Sequence, residues 1–208
     1  MDKSYTTARC EASDSYEEKK SVFYGFIKPI EEEAEALEFI EKIRRDMPNM
    51  RHVCYAYVNR VGNVVRFSDD HEPQGTAGMP ILEVIRREGL TGVVIAVARY
   101  FGGILLGAGG LTRAYGKAAK LALDAAGKAT FVLYSEVEIT SDYAAYQKIS
   151  YELSKMGLEA FDVRYEAEIS CRILANESEL EALTSKVLDI TAGRGRIKTV
   201  GEKYAPER

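Results

Sequence analysis

Between Val93 and Ala98 the chain reads VVIAVA, an apolar run with no polar break, closed by Gly92 on one side and Arg99 on the other. Length, β-branching and the flanking residues predict a buried strand over 92–100 rather than a helix. The strand sits inside a longer block from Phe67 to Lys120, FSDDHEPQGTAGMPILEVIRREGLTGVVIAVARYFGGILLGAGGLTRAYGKAAK. Ahead of it an acidic turn, Ser68, Asp69, Asp70, His71, Glu72 and Pro73, leads through Gly75 and Gly78 into a short amphipathic helix. Behind it Arg99, Tyr100 and Phe101 are followed by Gly102, Gly103, Gly107, Gly109 and Gly110, and then by a second helix. Glycine is costly to order and is placed where backbone takes unusual dihedrals or approaches something closely. Such density between a strand and a helix predicts either a site or a tight packing corner.

Around this block the periodicities predict a strand over 21–30, a helix over 31–46, strands over 52–59 and 64–67 joined as a hairpin through Gly62 and Asn63, and a helix over 79–88. The 31–46 helix carries acids in its first turns and Arg44 and Arg45 near its end, the charge order that suits the helix dipole, and Pro48 follows as a stop. The second helix of the block covers about 111–126, stopped by Gly127. A second unit then reads as strand 131–139, a helix capped by Asp142 and ended by Gly157, strands 158–165 and 168–174, a helix started by Asn176 and Glu179, and strand 193–200. The order β-α-β-β-α-β is the ferredoxin-like signature. The chain is therefore expected to be α+β with two domains, 1–129 and 130–208.

Composition excludes several classes. At 208 residues, 46% hydrophobic and 29% charged, the chain is ordinary for a water-soluble protein. No apolar run approaches the roughly 20 residues that span a bilayer, so no membrane partner is expected. The first residues lack the apolar stretch of a secretory signal, and Cys10, Cys54 and Cys171 are too few and too widely spaced for a disulfide framework or zinc knuckle. A cytoplasmic protein without cofactor or metal is the expectation. The net charge of −4 argues against strong nonspecific attraction to nucleic acid, yet residues 49–128 hold ten Lys and Arg against six Asp and Glu. The glycine-rich block thus lies in the net-positive stretch.

Five groups of residues are candidates for chemistry. His52 and Cys54 share one face of a strand, readable as a Cys–His nucleophile, as a ligand contact through His52, or as packing. Asp69, Asp70 and Glu72 are readable as oxygen donors to a hard cation or as side chains that satisfy the backbone of a polar turn. Arg99, Tyr100, Gly102 and Gly103 combine fixed charge, aromatic surface and exposed backbone donors, which suits phosphate contact with base stacking. Gly107, Gly109 and Gly110 precede a helix whose N-terminus favours anions, and Arg113 and Lys117, one turn apart, extend the basic face. Arg194, Arg196 and Lys198 alternate along the last strand, without the aromatics of RNA-recognition sheets, and read best as a solvated strand. No Walker loop or dinucleotide fingerprint occurs.

The stretches SDDHEPQGTAGMPIL and VARYFGGILLGAGGLTRAYGKAA resemble the signature of the YigZ/IMPACT family, HVCYA at 52–56 resembles its H-x-C-x-A strand, and KKSVFYGFI resembles its K-x-S-x-F segment. The resemblance implies a ribosomal protein S5 domain 2-like fold for the first domain and a ferredoxin-like fold for the second. Eukaryotic members act in a translational stress-kinase pathway through an additional RWD domain that is not read here, so that role is not carried over. Bacterial members are similar in shape to the last two domains of elongation factor G, which implies contact with RNA or the ribosome. His71 stands where the family commonly has glycine, which predicts an unstrained turn.

The leading expectation is a translation-associated regulatory protein without assigned chemistry, more a binder than an enzyme. It would bind RNA or the ribosome with Arg99 anchoring phosphate, Tyr100 stacking, and the five glycines admitting backbone donors. The alternatives are a phosphate- or nucleotide-binding enzyme with Asp69 or Asp70 as general base, and a protein-interaction module presenting its acidic surfaces to a basic partner. If the block is functional, the turn over 68–75, the loop over 99–110 and His52 should converge on one cleft.

Overall fold

The computed structural model describes residues 3–62 and 64–208. It divides into two units, Tyr5–Thr130 and Phe131–Arg208 with residues 3–4. In chain order the first unit contains β1 (Ser4–Ala8, which begins just before it), β2 (Ala12–Glu18), β3 (Ser21–Pro29), α1 (Glu33–Asp46), β4 (His52–Val58), β5 (Val65–Ser68), α2 (Gly78–Arg87), β6 (Val93–Tyr100) and α3 (Gly107–Ala126). Its main sheet has the order β2-β3-β6-β4-β5, antiparallel throughout.

The apolar run in β6 has a simple cause. Val93, Ile95 and Val97 pack with α2 and α3, while Val94, Ala96 and Ala98 pack on the opposite face with α1. A strand covered on both sides has no solvent face to mark with polar residues. Burying each such valine or isoleucine contributes roughly 1.5–3 kcal/mol, which makes the central strand the fixed reference for its neighbours. The α1 register follows from a capping box between Glu32 and Glu35, with Arg44 and Arg45 in the last turn.

Two strands were not expected. β2 reads ASDSYEE and leaves most of its side chains exposed, because it lies at the sheet edge, where polar residues discourage further pairing. β1 is tied down by Thr7 Oγ1, which donates to the Gly92 carbonyl at 2.7 Å, and by Thr91 N–H donating to the Thr6 carbonyl at 2.9 Å. α3 begins at Gly107 rather than at 111. The expected β4–β5 hairpin is present and Gly62 takes φ 79°, while Asn63 lies outside the described residues.

The second unit comprises most of β7 (Lys128–Ser141), then α4 (Tyr143–Lys155), β8 (Phe161–Tyr165), β9 (Ile169–Ala175), α5 (Glu177–Thr191) and β10 (Arg196–Pro206). Its strands run β10-β7-β9-β8, all neighbours antiparallel, the arrangement of the ferredoxin-like fold. Asp142 accepts from Ala145 N–H at 2.8 Å, and Asn176 forms a capping box with Glu179, as the spacing predicts. β10 lies further along the chain than expected. The fold class is α+β with two domains, S5 domain 2-like and ferredoxin-like. Among the described residues no helix is long and apolar enough to cross a membrane.

Candidate nucleic-acid interface

At the C-terminal end of β6 the strand parity carries Arg99 to the face shared with α2 and α3. In register it lies opposite Phe23 of β3 on one side and His52 of β4 on the other. Glu72 reaches in from the acidic turn, accepting from Arg99 Nη1 at 2.6 Å and from the Tyr115 hydroxyl at 2.8 Å, both on Oε1. Only 8% of the Arg99 side chain and 4% of the Glu72 side chain are exposed. The guanidinium carbon lies 5.4 Å from the ring centroids of both Phe23 and Phe101, and Tyr115 meets Phe23 edge-on at 5.1 Å. Arg99 is therefore an internal ion-pair partner and not a phosphate anchor, and Glu72 is its counter-charge and not a ligand contact. A charge this deeply desolvated is held by its partner, and leaving that partner for a phosphate would strand the carboxylate.

The other acids of the turn are similarly engaged. Asp69 accepts from Gly75 N–H at 2.8 Å, Ala77 N–H at 3.0 Å and Gly78 N–H at 2.8 Å. Burial alone would raise its pKa, but these three donors outweigh it and hold the carboxyl below its ordinary value. Asp70 accepts from Val53 N–H at 2.7 Å and from Arg44 Nη2 at 3.2 Å. The three carboxylates face separate partners, which removes Asp69 and Asp70 as a general base and leaves no shared oxygen cage. Among the described residues no group of three metal-ligating side chains occurs. Asp70 and His71 both take left-handed backbone, φ 40° and 69°, so the turn keeps the conformation a glycine would favour, contrary to the expectation drawn from His71.

His52 Nδ1 lies 2.7 Å from the Asp70 carbonyl. A carbonyl only accepts, so Nδ1 carries the proton. Cys54 donates to the Asp69 carbonyl at 3.0 Å, and burial pushes its thiol well above the ordinary cysteine range. With no thiolate and no His52 contact to the sulfur, the pair locks the acidic turn onto β4. The nucleophile reading does not hold.

The glycine-rich loop has a different character. Gly102 N–H donates to Ser21 Oγ at 3.2 Å, and a Cβ built on Gly102 would stand 2.0 Å from the Lys20 carbonyl oxygen. The loop is seated directly on the β2–β3 turn, with no room for a side chain or a ligand at that point. Gly103 and Gly107 bend the chain at φ 83° and 72°, and Gly109 and Gly110 form the first turn of α3. Held in this way, the loop turns its apolar side chains outward. Tyr100 is 51% exposed, Phe101 45% and Leu105 83%, with Ile104 beside them.

Cations border this surface. Lys19 and Lys20 form the two-residue turn between paired residues Glu18 and Ser21, and both take left-handed backbone, φ 48° and 64°. A type I′ hairpin turn requires that conformation and is ordinarily filled by Asn-Gly. Lys19, Arg113 and Lys117 line a hollow of about 340 Å³ together with Gly110, Leu106, Tyr16 and Glu18. Glu18 there accepts from the Tyr16 hydroxyl at 2.7 Å.

The turn, the loop and His52 meet around the end of β6 but do not form the single cleft expected, since Arg99 is buried against Glu72 and the neighbouring hollow is lined by other residues. His52, Asp69, Asp70, Glu72 and Arg99 form an inner lattice of hydrogen bonds with one another and with nearby backbone, in which Arg99 Nε is buried without a partner among the described residues. Tyr100, Gly103, Gly107, Gly109, Arg113 and Lys117 lie on the outer rim. The sequence reading passed over the two lysines of the turn and over Ile104 and Leu105. The KK dipeptide and the ILL within GGILLGAGG were the available signals. In the second unit Arg196 pairs with Glu168, Arg194 Nε donates to the Thr191 carbonyl at 3.3 Å, and Lys198 lies opposite Glu138 in the strand register, so one of the three cations of the stripe is paired with a carboxylate.

Comparison with known proteins gives matches in both units. The Impact N-terminal domain model matches residues 19–123, and a domain of unknown function, DUF1949, matches residues 139–194. The chain is 36% identical over 181 residues to the IMPACT family member YvyE of Bacillus subtilis, covering 86% of this chain and 83% of that one. It is 30% identical over 187 residues to the IMPACT family member YigZ of Escherichia coli, covering 88% and 92%. The crystal structure of a hypothetical protein superposes with a TM-score of 0.62 at 28% identity, covering 96% of this chain and 98% of that one.

Proposed function

We propose, for a chain that belongs to the IMPACT family, a translation-associated role in which the first unit binds RNA or the ribosome through the outer rim at the end of β6. The observation that carries this reading is the rigidly seated loop 100–105, with aromatic and aliphatic side chains turned to solvent beside Lys19, Lys20, Arg113 and Lys117. Exposed cations neutralise phosphates, and exposed rings offer faces on which bases stack. The two left-handed lysines support it as well. Non-glycine residues in that conformation each cost about 1–2 kcal/mol, and such strain persists where a displayed side chain serves a purpose.

The enzyme reading loses its support because each carboxylate and the thiol that would supply a base or nucleophile are tied to internal partners. The function is tested by filter binding of RNA and by cosedimentation with ribosomes across a salt series. Retention at about 50 mM salt that fades by about 200 mM is the expected result, since the contacts release counterions. Absence of binding to both RNA and ribosomes at the low-salt end would refute it.

A further inference from the structure

The outer rim selects among nucleic acids by what it offers besides charge. Four large apolar side chains fall within six residues, Tyr100 to Leu105, whereas the other exposed large apolar side chains among the described residues are spread along the chain. Contiguous exposed apolar surface marks a contact. This one is not a loose loop, because Gly102 is hydrogen-bonded to Ser21 and packed without clearance on Lys20. The Arg99 guanidinium occupies one side of Phe101 and is itself fixed by Glu72. The ring is therefore held in place while remaining nearly half exposed.

We infer that this surface takes unpaired RNA and discriminates against duplex, an inference that rests on the RNA-binding function proposed above. A duplex presents its phosphates to Lys19, Arg113 and Lys117 as readily as a single strand does. Its base faces, however, are consumed by stacking within the helix, and its grooves present hydroxyls and base edges that call for polar partners. Tyr100, Phe101 and Leu105 supply few of these. An unpaired strand presents both a backbone for the cationic hollow and splayed bases for the apolar loop. The two features adjoin, since Leu106 at the end of the loop lines the hollow and Gly102 sits on Lys20, the neighbour of Lys19.

The test uses the full chain and fluorescence anisotropy at a fixed low salt concentration, with three probes. These are a labelled oligouridine of roughly 12 nucleotides, a duplex of equal length, and vesicles containing anionic lipid. The expected result is at least about tenfold tighter binding of the oligouridine than of the duplex. Tyr100→Ala should weaken the oligouridine by about five- to a hundredfold, the range for loss of one stacked base, Leu105→Ser should weaken it less through lost apolar contact, and both should leave the duplex unchanged. Both positions are on the surface, and unchanged circular dichroism verifies the fold. Equal affinity for strand and duplex, or insensitivity to both substitutions while Lys117→Glu still weakens binding, overturns the strand preference and leaves the RNA-binding function standing. Binding to vesicles with no RNA bound in either form overturns both.

Discussion

Replacing Glu72 with alanine removes the counter-charge of a guanidinium that is 8% exposed and the acceptor of the Tyr115 hydroxyl. Removing one member of a buried ion pair costs about 3–5 kcal/mol, because the remaining charge stays desolvated without compensation. For a chain of this size that corresponds to a fall in Tm of roughly 6–20 °C. The orphaned tyrosine hydroxyl contributes within that figure, not on top of it, since all three groups share one oxygen. Thermal melting by far-UV circular dichroism reads the loss, and amide exchange along β6 locates it in the first unit. Arg99→Ala should be similarly costly, and the double variant should be less destabilised than the sum by about 2 kcal/mol, the signature of coupled residues. Binding sharpens the distinction between a structural and a functional Arg99. At temperatures where Arg99→Ala remains folded, its RNA affinity should fall only as far as the freed Phe101 ring loosens, while the salt slope should match the parent's, because Arg99 contacts no phosphate. A Tm change of less than about 2 °C for Glu72→Ala, or full additivity in the double variant, would refute the account of the inner lattice.

Gly102→Ala should destabilise the first unit and weaken RNA binding together, because a Cβ there would meet the Lys20 carbonyl oxygen at 2.0 Å and the loop must lift from its seat; melting and filter binding on the same preparation check this, and a variant with parental behaviour in both would show that the seat is not needed. Asp69 gives a pH dependence. Its folded-state pKa lies below the ordinary carboxylate value, so its stabilisation is fully present above the unfolded pKa of about 3.9 and is lost as pH falls through the folded value. Acid titration of stability should therefore steepen below about pH 4, and Asp69→Asn should flatten that part of the curve. An unchanged acid limb in the variant would mean the three backbone donors do not favour the ionised carboxyl.

Much of the fold was readable because it follows from patterns that local physics imposes. The VVIAVA run located the central strand, since burial on both faces forbids polar alternation. Asp142 and Asn176 located α4 and α5, since a helix start needs an acceptor for its free amides. β2 was not readable because an edge strand of serines and acids has no hydrophobic alternation to detect. At the site, the glycines did point to a close approach, and at Gly102 the approach is backbone on backbone rather than backbone on ligand. Arg99 was misread for a reason of distance. Its carboxylate partner stands 27 residues earlier, in a turn whose three acids look equivalent in sequence and have three separate fates in the structure. The turn formed by Lys19 and Lys20 was not readable because a type I′ turn is ordinarily announced by Asn-Gly, and nothing local reveals that two lysines adopt it.

The central claim is that the outer rim, and not net charge or the inner lattice, binds RNA or the ribosome. Lys117→Glu compared with Lys148→Glu tests it directly, since the two make the same change in charge, one in the hollow lined by Lys19 and Arg113 and the other on the exposed surface of α4. Both should melt as the parent does. In ribosome cosedimentation and RNA binding across a salt series, Lys117→Glu should lower affinity by about tenfold or more and reduce the salt slope by about 0.7, the value for one lost single-strand phosphate contact. Lys148→Glu should follow the parent curve. Coincident curves for the two variants, or a larger loss from Lys148→Glu, would contradict the account.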